Sequence, residues 1–234
     1  MIKKFLYLEW KSFLRSASFG TNLALKIIIG VFAFFYAILF LMMGIGVYYG
    51  LEEEGFNPLV EVNRYIIYYL LFDLIIKLIF QKIPVLNIRP LLNLPITRKT
   101  IVSFSMGKTC ISFFNWIHLL FLLPFSIILV AEGYGFLSVL LWFLSIVSII
   151  YINNFLNILL SNKDNLFYVF MIATATLGYL HFAEIFDVTV YTLPIFQGLF
   201  KYSFLFVFPF LILLGLIYTT YQYLKSNLYL DTGL

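Results

Sequence analysis

Residues 136–160 read FLSVLLWFLSIVSIIYINNFLNILL and hold no charged side chain. About 20 apolar residues in a helix span the roughly 30 Å of a bilayer's hydrocarbon core, so this stretch is long enough to cross it. A soluble domain of ordinary composition rarely contains so long an apolar run. The stretch therefore predicts a membrane-spanning helix, and the rest of the chain is interpreted outward from it.

Five more apolar stretches bring the number of predicted spans to six. The chain is 63% hydrophobic and 11% charged, whereas a typical soluble domain is about half apolar and roughly a quarter charged. We therefore expect an all-α polytopic membrane protein whose six transmembrane helices form a single domain over residues 27–234. The spans are predicted at about 27–49, 65–80, 111–130, 136–160, 166–180 and 202–224.

The first span holds a pattern that permits close packing of helices. Gly46 and Gly50 stand four positions apart, which is the small-xxx-small spacing of many membrane helix contacts. Because glycine is common in membrane helices, the spacing alone is a weak indication.

Charges are sorted between the gaps that separate the spans. Most acidic residues lie in the alternate gaps 51–64, 131–135 and 181–201, whereas the lysines and arginines gather at the chain ends and in the other gaps. Cytoplasmic loops of membrane proteins carry an excess of Lys and Arg. We therefore expect a multi-pass protein surrounded by the lipid bilayer, with both termini in the cytoplasm.

Residues 1–26 precede the first span and are predicted to form an amphipathic element. At about 100° per residue, Met1–Ala17 has an apolar face and a basic face, which is typical of a helix lying in the membrane interface. The alternative is an ordinary cytosolic helix packed on the bundle. The apolar face consists of Ile2, Leu6, Trp10, Phe13, Leu14 and Ala17, and the polar face of Lys4, Lys11, Ser12, Arg15 and Ser16.

The segment between the second and third spans is the part most informative about function. It reads Leu91-Leu92-Asn93-Leu94-Pro95-Ile96-Thr97-Arg98-Lys99 and leads into a stretch that ends in Gly107-Lys108. Pro95 breaks a helix, and Thr97 can cap the helix that begins after it. The leucines and the isoleucine would present an apolar knob with a basic rim on the cytosolic side. Such an exposed surface favours docking of a partner.

This segment resembles its counterpart in the ABC-2 class of ABC-transporter membrane subunits. The shared features are the leucines, the Leu-Pro-x-Thr-Arg-Lys run and the helix that ends in Gly-Lys. That class also begins with an amphipathic elbow helix, has six spans with both ends cytosolic, and often has a broken, re-entrant hairpin before the sixth span. Residues 1–17 and 181–201 stand in those two places.

The resemblance implies a membrane-spanning permease subunit in a two-fold dimer, either a homodimer or a pair with a homologous half. A separate ABC-type ATPase would bind ATP and Mg²⁺, so this chain would carry no cofactor and would not itself be an enzyme. Transport would be export, and the substrate stays open. The cytosolic coupling helix would dock the ATPase through Leu91, Leu92, Leu94, Pro95, Ile96, Thr97, Arg98 and Lys99.

Two shorter stretches, Phe5–Lys11 and Asn63-Arg64-Tyr65, resemble an uncharacterised Bacteroidota group of such permeases. Members of that group are longer than this chain. By this comparison the chain is either a short relative or the N-terminal half of a longer protein.

Two other interpretations stay open. The basic segment can be the inner loop of some other six-span protein, because inner loops are basic in general. The chain can also be a membrane scaffold or assembly subunit that transports nothing, which would equally explain its apolar composition. A co-purifying ATPase would favour the permease, and a large complex without an ATPase would favour the scaffold.

Two pairs of polar residues within the predicted spans are candidate site residues. Asp73 and Lys77 stand four apart in the second span, so they share a helix face and can form an ion pair. Asn153 and Asn157 share a face at the inner end of the fourth span and can hydrogen-bond to neighbouring helices. Each pair is a candidate for the translocation path or the subunit interface, with a structural role as the alternative.

Three other signals do not lead to a site. Gly107-Lys108-Thr109 lacks the glycine that a phosphate-binding loop needs five positions earlier, where Val102 stands. His118 and His181 are predicted near opposite ends of different spans with no second ligand nearby, so no metal site is expected. The basic residues are scattered and form no dense patch, so no nucleic-acid partner is expected.

Overall fold

The computed structural model describes residues 7, 11, 23–81, 97–160 and 164–227, and every regular element in these ranges is a helix. The all-α prediction is confirmed for them. The predicted elbow helix, apart from Tyr7 and Lys11, and the predicted docking residues 91–96 lie outside the described residues. The helices in chain order are α1 Leu23–Glu53, α2 Pro58–Phe80, α3 Arg98–Cys110, α4 Phe113–Ala131, α5 Phe136–Leu160, α6 Asp164–Phe182, α7 Thr189–Lys201 and α8 Val207–Asn227, with a 3₁₀ turn Ser203–Phe206 before α8.

Several of these helices are long and apolar enough to cross a membrane. In the described ranges the stretches with both properties are Gly30–Glu53, Arg98–Ala131, Phe136–Leu160 and Ser203–Asn227. α2 has the length, with 23 residues, but it carries four charged side chains, and the apolar part of α6 is short. The chain is therefore a helical membrane-embedded protein, and passage of α2 and α6 through the bilayer stays a prediction of the sequence.

The first loop is much shorter than the sequence suggests. Residues 51–64 are predicted as an outer loop, but α1 continues to Glu53 and only residues 54–57 connect it to α2. Asn57 caps α2, because its Oδ1 accepts a hydrogen bond from the backbone N–H of Val60 at 3.1 Å. Pro58 follows at the first helical position, where its missing N–H has no partner to lose.

The other predicted boundaries lie close to the helix ends. α5 covers 136–160 as predicted, whereas α1 begins at Leu23 rather than at residue 27. The segment 181–201, predicted to be too broken for a plain span, contains the end of α6 and the 13-residue α7. α7 includes Pro194 and is too short to cross a bilayer by itself.

Two apolar cores hold the helices together. The larger core lies among α1, α2, α4, α5 and α7 and includes the fully buried side chains of Phe125 and Trp142. The smaller core lies among α3, α5 and α8 and includes Val102, Phe155 and Leu224. Because lipid tails are as apolar as these side chains, close packing rather than exclusion of water favours the contacts.

The two ends of the bundle differ in charge. The Tyr49 hydroxyl donates to Glu132 Oε1 at 3.3 Å, so the acidic loop 54–57 and the turn after α4 lie at the same end. At the opposite end, α3 packs against the ends of α5 and α8, which brings Arg98 and Lys225 to that end. The sorting of charge along the sequence is therefore also a sorting of charge in space.

Candidate functional site

An ion pair lies inside the bundle on α2. Lys77 Nζ lies 2.9 Å from Asp73 Oδ2, and the two side chains are almost entirely buried. The pairing predicted from their spacing is confirmed. A charge at membrane depth is costly unless a partner compensates it, so this pair requires polar contacts from neighbouring helices.

α5 supplies part of that surrounding. Lys77 Nζ also donates to the Ile150 carbonyl oxygen at 3.0 Å. Asn153 Nδ2 donates to Asp73 Oδ2 at 2.9 Å and to the Leu70 carbonyl oxygen at 2.8 Å. Asn153, a predicted site residue, therefore links α5 directly to the carboxylate of α2.

α4 supplies the other part through His118. Its Nε2 lies 2.7 Å from Asp73 Oδ1, and its Nδ1 is hydrogen-bonded to the Tyr69 hydroxyl. Because a carboxylate only accepts, Nε2 carries the hydrogen, and Nδ1 of the neutral ring accepts from Tyr69. The sequence analysis did not find this partner of His118, because Asp73 stands 45 positions earlier in the sequence but in direct contact with the histidine.

These residues form one unit, which we call the charge cluster: Tyr69, Asp73, Lys77, His118 and Asn153. The ion pair of Lys77 and Asp73 has no net charge, and both carboxylate oxygens accept hydrogen bonds. Three helices enclose it. This geometry favours the structural alternative for Asp73 and Lys77, because a path for a substrate would need access to them.

A second polar group lies nearer the basic end of the bundle. We call Gln81, Asn115, Asn154 and Asn157 the amide cluster. Asn154 Oδ1 accepts from Gln81 Nε2 at 2.7 Å and from Asn115 Nδ2 at 3.2 Å, and Asn157 Nδ2 donates to the Gln81 carbonyl oxygen at 3.4 Å. Asn157, predicted to act with Asn153, therefore contacts a different group.

Thr109 connects the amide cluster to α3. Its carbonyl oxygen accepts from Asn115 Nδ2 at 2.9 Å, and its hydroxyl oxygen accepts from Asn154 Nδ2 at 3.4 Å. The amide cluster therefore joins the end of α2 to α4, α5 and the C-terminal end of α3, and one of its members, Gln81, directly precedes the chain segment that leads to the predicted docking residues.

A third polar group lies between α6 and α7. His181 Nδ1 lies 3.0 Å from Asp187 Oδ1, and both side chains are about one third exposed. Hydrogen bonds from the side chain and the backbone N–H of Thr189, and then from His181, hold the pKa of the Asp187 carboxyl below its usual value. His181 also packs on the rings of Tyr65 and Tyr68. It therefore lies beside the same helix, α2, as His118 does.

The structure describes three of the eight predicted docking residues. Thr97 stands at the N-cap of α3 in extended conformation and, like Arg98 and Lys99, is exposed. Its hydroxyl lies 2.9 Å from the hydroxyl of Thr100 and makes no capping bond to the backbone, so the predicted cap has the right position but a different partner. The other members lie outside the described residues: Leu91, Leu92, Leu94, Pro95 and Ile96.

The described ranges contain no group of three or more His, Cys, Asp or Glu side chains that could hold a metal ion. The charge cluster offers one carboxylate and one imidazole, and Lys77 fills the place beside them.

Comparison with known proteins gives a match at the level of a protein family. A model of a protein family covers residues 9–234, which is nearly the whole chain, and the family is described only as one of unknown function. No curated protein and no solved structure matches the chain. The match extends over the charge cluster, the amide cluster and the eight helices of the described ranges, and by it the chain belongs to the family of unknown function DUF5687.

Proposed function

We propose that this chain is the membrane-spanning permease subunit of an ATP-driven exporter of the ABC-2-like type. The observation that carries the proposal is the position of α3. In the sequence this helix follows directly after residues 91–96. Its first two residues, Arg98 and Lys99, are exposed at the basic end of the bundle. A docking segment for a soluble ATPase has to lie at the cytosolic end, and the positive-inside rule assigns the basic end to the cytoplasm.

Packing of α3 supports a role in coupling. Ile101, Val102 and Met106 are buried in the smaller core against Phe155 and Leu224, so α3 is attached firmly to α5 and α8. Binding of ATP and Mg²⁺ would close two ATPase subunits on each other. The docked segments would move with them, and α3 would pass the movement to the spans as a rigid body. Two copies of this chain, or this chain and a homologous half, would open a path between them in the bacterial inner membrane.

The docking claim is tested by a double substitution, Leu94→Asp with Ile96→Asp. Two carboxylates in the apolar knob would oppose its burial in an ATPase cleft, so we expect at least a tenfold loss of co-purifying ATPase in mild detergent, with the partners identified by mass spectrometry. The control is Phe56→Asp, which likewise replaces an apolar side chain by a carboxylate, but in the exposed loop at the acidic end. ATPase retained by the double variant would contradict docking at residues 91–99, and a large complex without any ATPase would favour a scaffold subunit.

Orientation is tested by cysteine labelling. In a Cys110→Ser background, single cysteines at Glu54 and Thr97, both exposed, occupy opposite ends of the bundle. We expect a membrane-impermeant maleimide to label residue 54 in intact spheroplasts and to label residue 97 only after the membrane is opened. Labelling of both cysteines from outside would overturn the proposed topology.

A further inference from the structure

The amide cluster leaves three oxygen atoms without a hydrogen-bond donor. Gln81 Oε1, Asn115 Oδ1 and Asn157 Oδ1 are buried and unpaired among the described residues. The three residues are 8%, 2% and 1% exposed. Buried polar atoms are almost always paired, so three unpaired acceptors in adjacent side chains require a physical reason.

The surrounding hydrogen bonds fix which atom of each amide is the oxygen. Asn115 Nδ2 lies 2.9 Å from the carbonyl oxygen of Thr109, so this atom has to be the nitrogen. Its neighbour at 3.2 Å on Asn154 then has to be the oxygen, and the Gln81 atom 2.7 Å from that oxygen has to be a nitrogen. Asn157 is fixed in the same way by the carbonyl oxygen of Gln81. Rotating one of these amides by 180° would therefore break its hydrogen bond and place its oxygen against another oxygen.

The three carboxamides are close neighbours from three helices. Gln81 at the end of α2 and Asn115 on α4 donate to the same oxygen of Asn154, and Asn157 on α5 binds the backbone of Gln81. The charged side chain nearest along α2 is Lys77, one turn before Gln81, and its charge is compensated by Asp73. The amide cluster is thus an uncharged, buried group of oxygen acceptors.

We propose that the amide cluster binds an alkali metal cation, Na⁺ or K⁺. Carbonyl oxygens can replace the hydration shell of such ions, as they do in potassium channels. One buried water donates two hydrogen bonds and leaves at least one of the three acceptors unpaired. Ca²⁺ and Mg²⁺ are held mainly through carboxylates, and this ligand set contains none. A monovalent cation with these oxygens as ligands would tie α4, α5 and the end of α2 together at the basic end of the bundle.

The test is the cation dependence of thermal unfolding. The purified chain is held in detergent at constant ionic strength while choline chloride is replaced by NaCl or KCl, and the midpoint is followed by tryptophan fluorescence. A ligand that binds only the folded state raises the midpoint in proportion to the logarithm of its concentration above the dissociation constant. We expect one of the two salts to raise the midpoint by several degrees, with lithium and caesium giving smaller shifts.

Two substitutions assign the effect to this site. Asn157→Leu keeps the size of the side chain but removes one ligand oxygen, and we expect it to lose most of the cation-dependent shift. Thr220→Val is the matched control, because Thr220 Oγ1 is also buried and unpaired but lies on α8, outside the amide cluster. It should keep the full shift.

Direct binding of ²²Na⁺ or ⁸⁶Rb⁺ to the wild-type chain, near one ion per chain, provides a second measurement that does not depend on a folded variant. The proposal is overturned if neither salt shifts the wild-type midpoint and neither tracer binds. It is equally overturned if Asn157→Leu retains the shift in full. None of these results depends on whether an ATPase partner exists.

Discussion

Asp73→Leu should lower the free energy of unfolding by about 3–5 kcal/mol, the cost measured when one partner of a buried ion pair is removed. The substitution leaves the fully buried Lys77 ammonium group without its counter-ion, and among its observed contacts the carbonyl oxygen of Ile150 is the acceptor that remains. It also takes the acceptor away from His118 Nε2. Unfolding of the purified chain in mixed micelles, followed by tryptophan fluorescence, measures the loss.

Replacing Lys77 as well as Asp73 tests whether the buried ammonium group causes this loss. In Asp73→Leu combined with Lys77→Leu, no buried charge remains, so we expect the double variant to recover at least half of the loss. That recovery would show that the uncompensated ammonium group causes most of the effect. A double variant as unstable as the sum of two single variants would instead show that the two side chains act independently.

α2 also contains a matched control. Glu61 and Arg64 form an ion pair of the same 2.9 Å length three positions apart, but their side chains are 12% and 37% exposed, so water reaches this pair. Ion pairs in contact with water contribute about 0–1 kcal/mol, so Glu61→Ala should cost clearly less stability than Asp73→Leu. If Asp73→Leu proved as mild as Glu61→Ala, water would have to reach the charge cluster, and Asp73 would become a candidate for the translocation path again.

The features that the sequence predicts well are those that depend on local spacing. Hydropathy locates α5 because 25 uncharged residues leave no alternative, and the i, i+4 spacing predicts the Asp73–Lys77 pair. The prediction of an outer loop at residues 51–64 was wrong, because most of these residues are helical. Asn57 followed by Pro58 is an N-cap signal, and giving it more weight than the neighbouring glutamates would have placed the start of α2 correctly.

Features that depend on helix order and rotation could not be predicted in this way. His118 stands in an apolar helix, and its contact with Asp73 requires α2 and α4 to lie side by side with one particular face each. The same is true of the amide cluster, whose members come from α2, α4 and α5. A single polar residue in a span indicates that a partner exists, but only the packing shows which residue it is.

Gly44→Ala should destabilise the contact between α1 and α4 by about 1–3 kcal/mol, the usual cost of adding a methyl group where none fits. A Cβ atom at Gly44 would lie 2.4 Å from the Phe121 carbonyl oxygen and 2.9 Å from Pro124 Cγ. Both obstacles are rigid, since one belongs to the helix backbone and the other to a proline ring. The helices would have to separate, and α1 would lose packing along its whole interface with α4.

Two other glycines of α1, Gly46 and Gly50, provide controls for Gly44→Ala. The small-xxx-small pattern predicts Gly46 and Gly50 at the helix contact, but a Cβ atom at either position meets nothing within 4 Å. Gly46→Ala and Gly50→Ala should therefore be neutral or stabilise α1 by up to about 1 kcal/mol, because alanine favours a helix over glycine. The small-xxx-small prediction is therefore wrong about which residues make the contact, because α1 packs closely on α4 at Gly44 and not at Gly46 or Gly50.

The expected order of stabilities distinguishes this packing from a general intolerance of α1 to substitution. Thermal unfolding of the three alanine variants in detergent should place Gly44→Ala well below the wild type and the other two at or above it. Equal losses in all three variants would mean that α1 packs against a second surface through Gly46 and Gly50. A Gly44→Ala variant as stable as the wild type would mean that α1 can move away from α4 at little cost. α1 would then be held in place mainly by the surrounding lipid, to which most of its large apolar side chains are exposed.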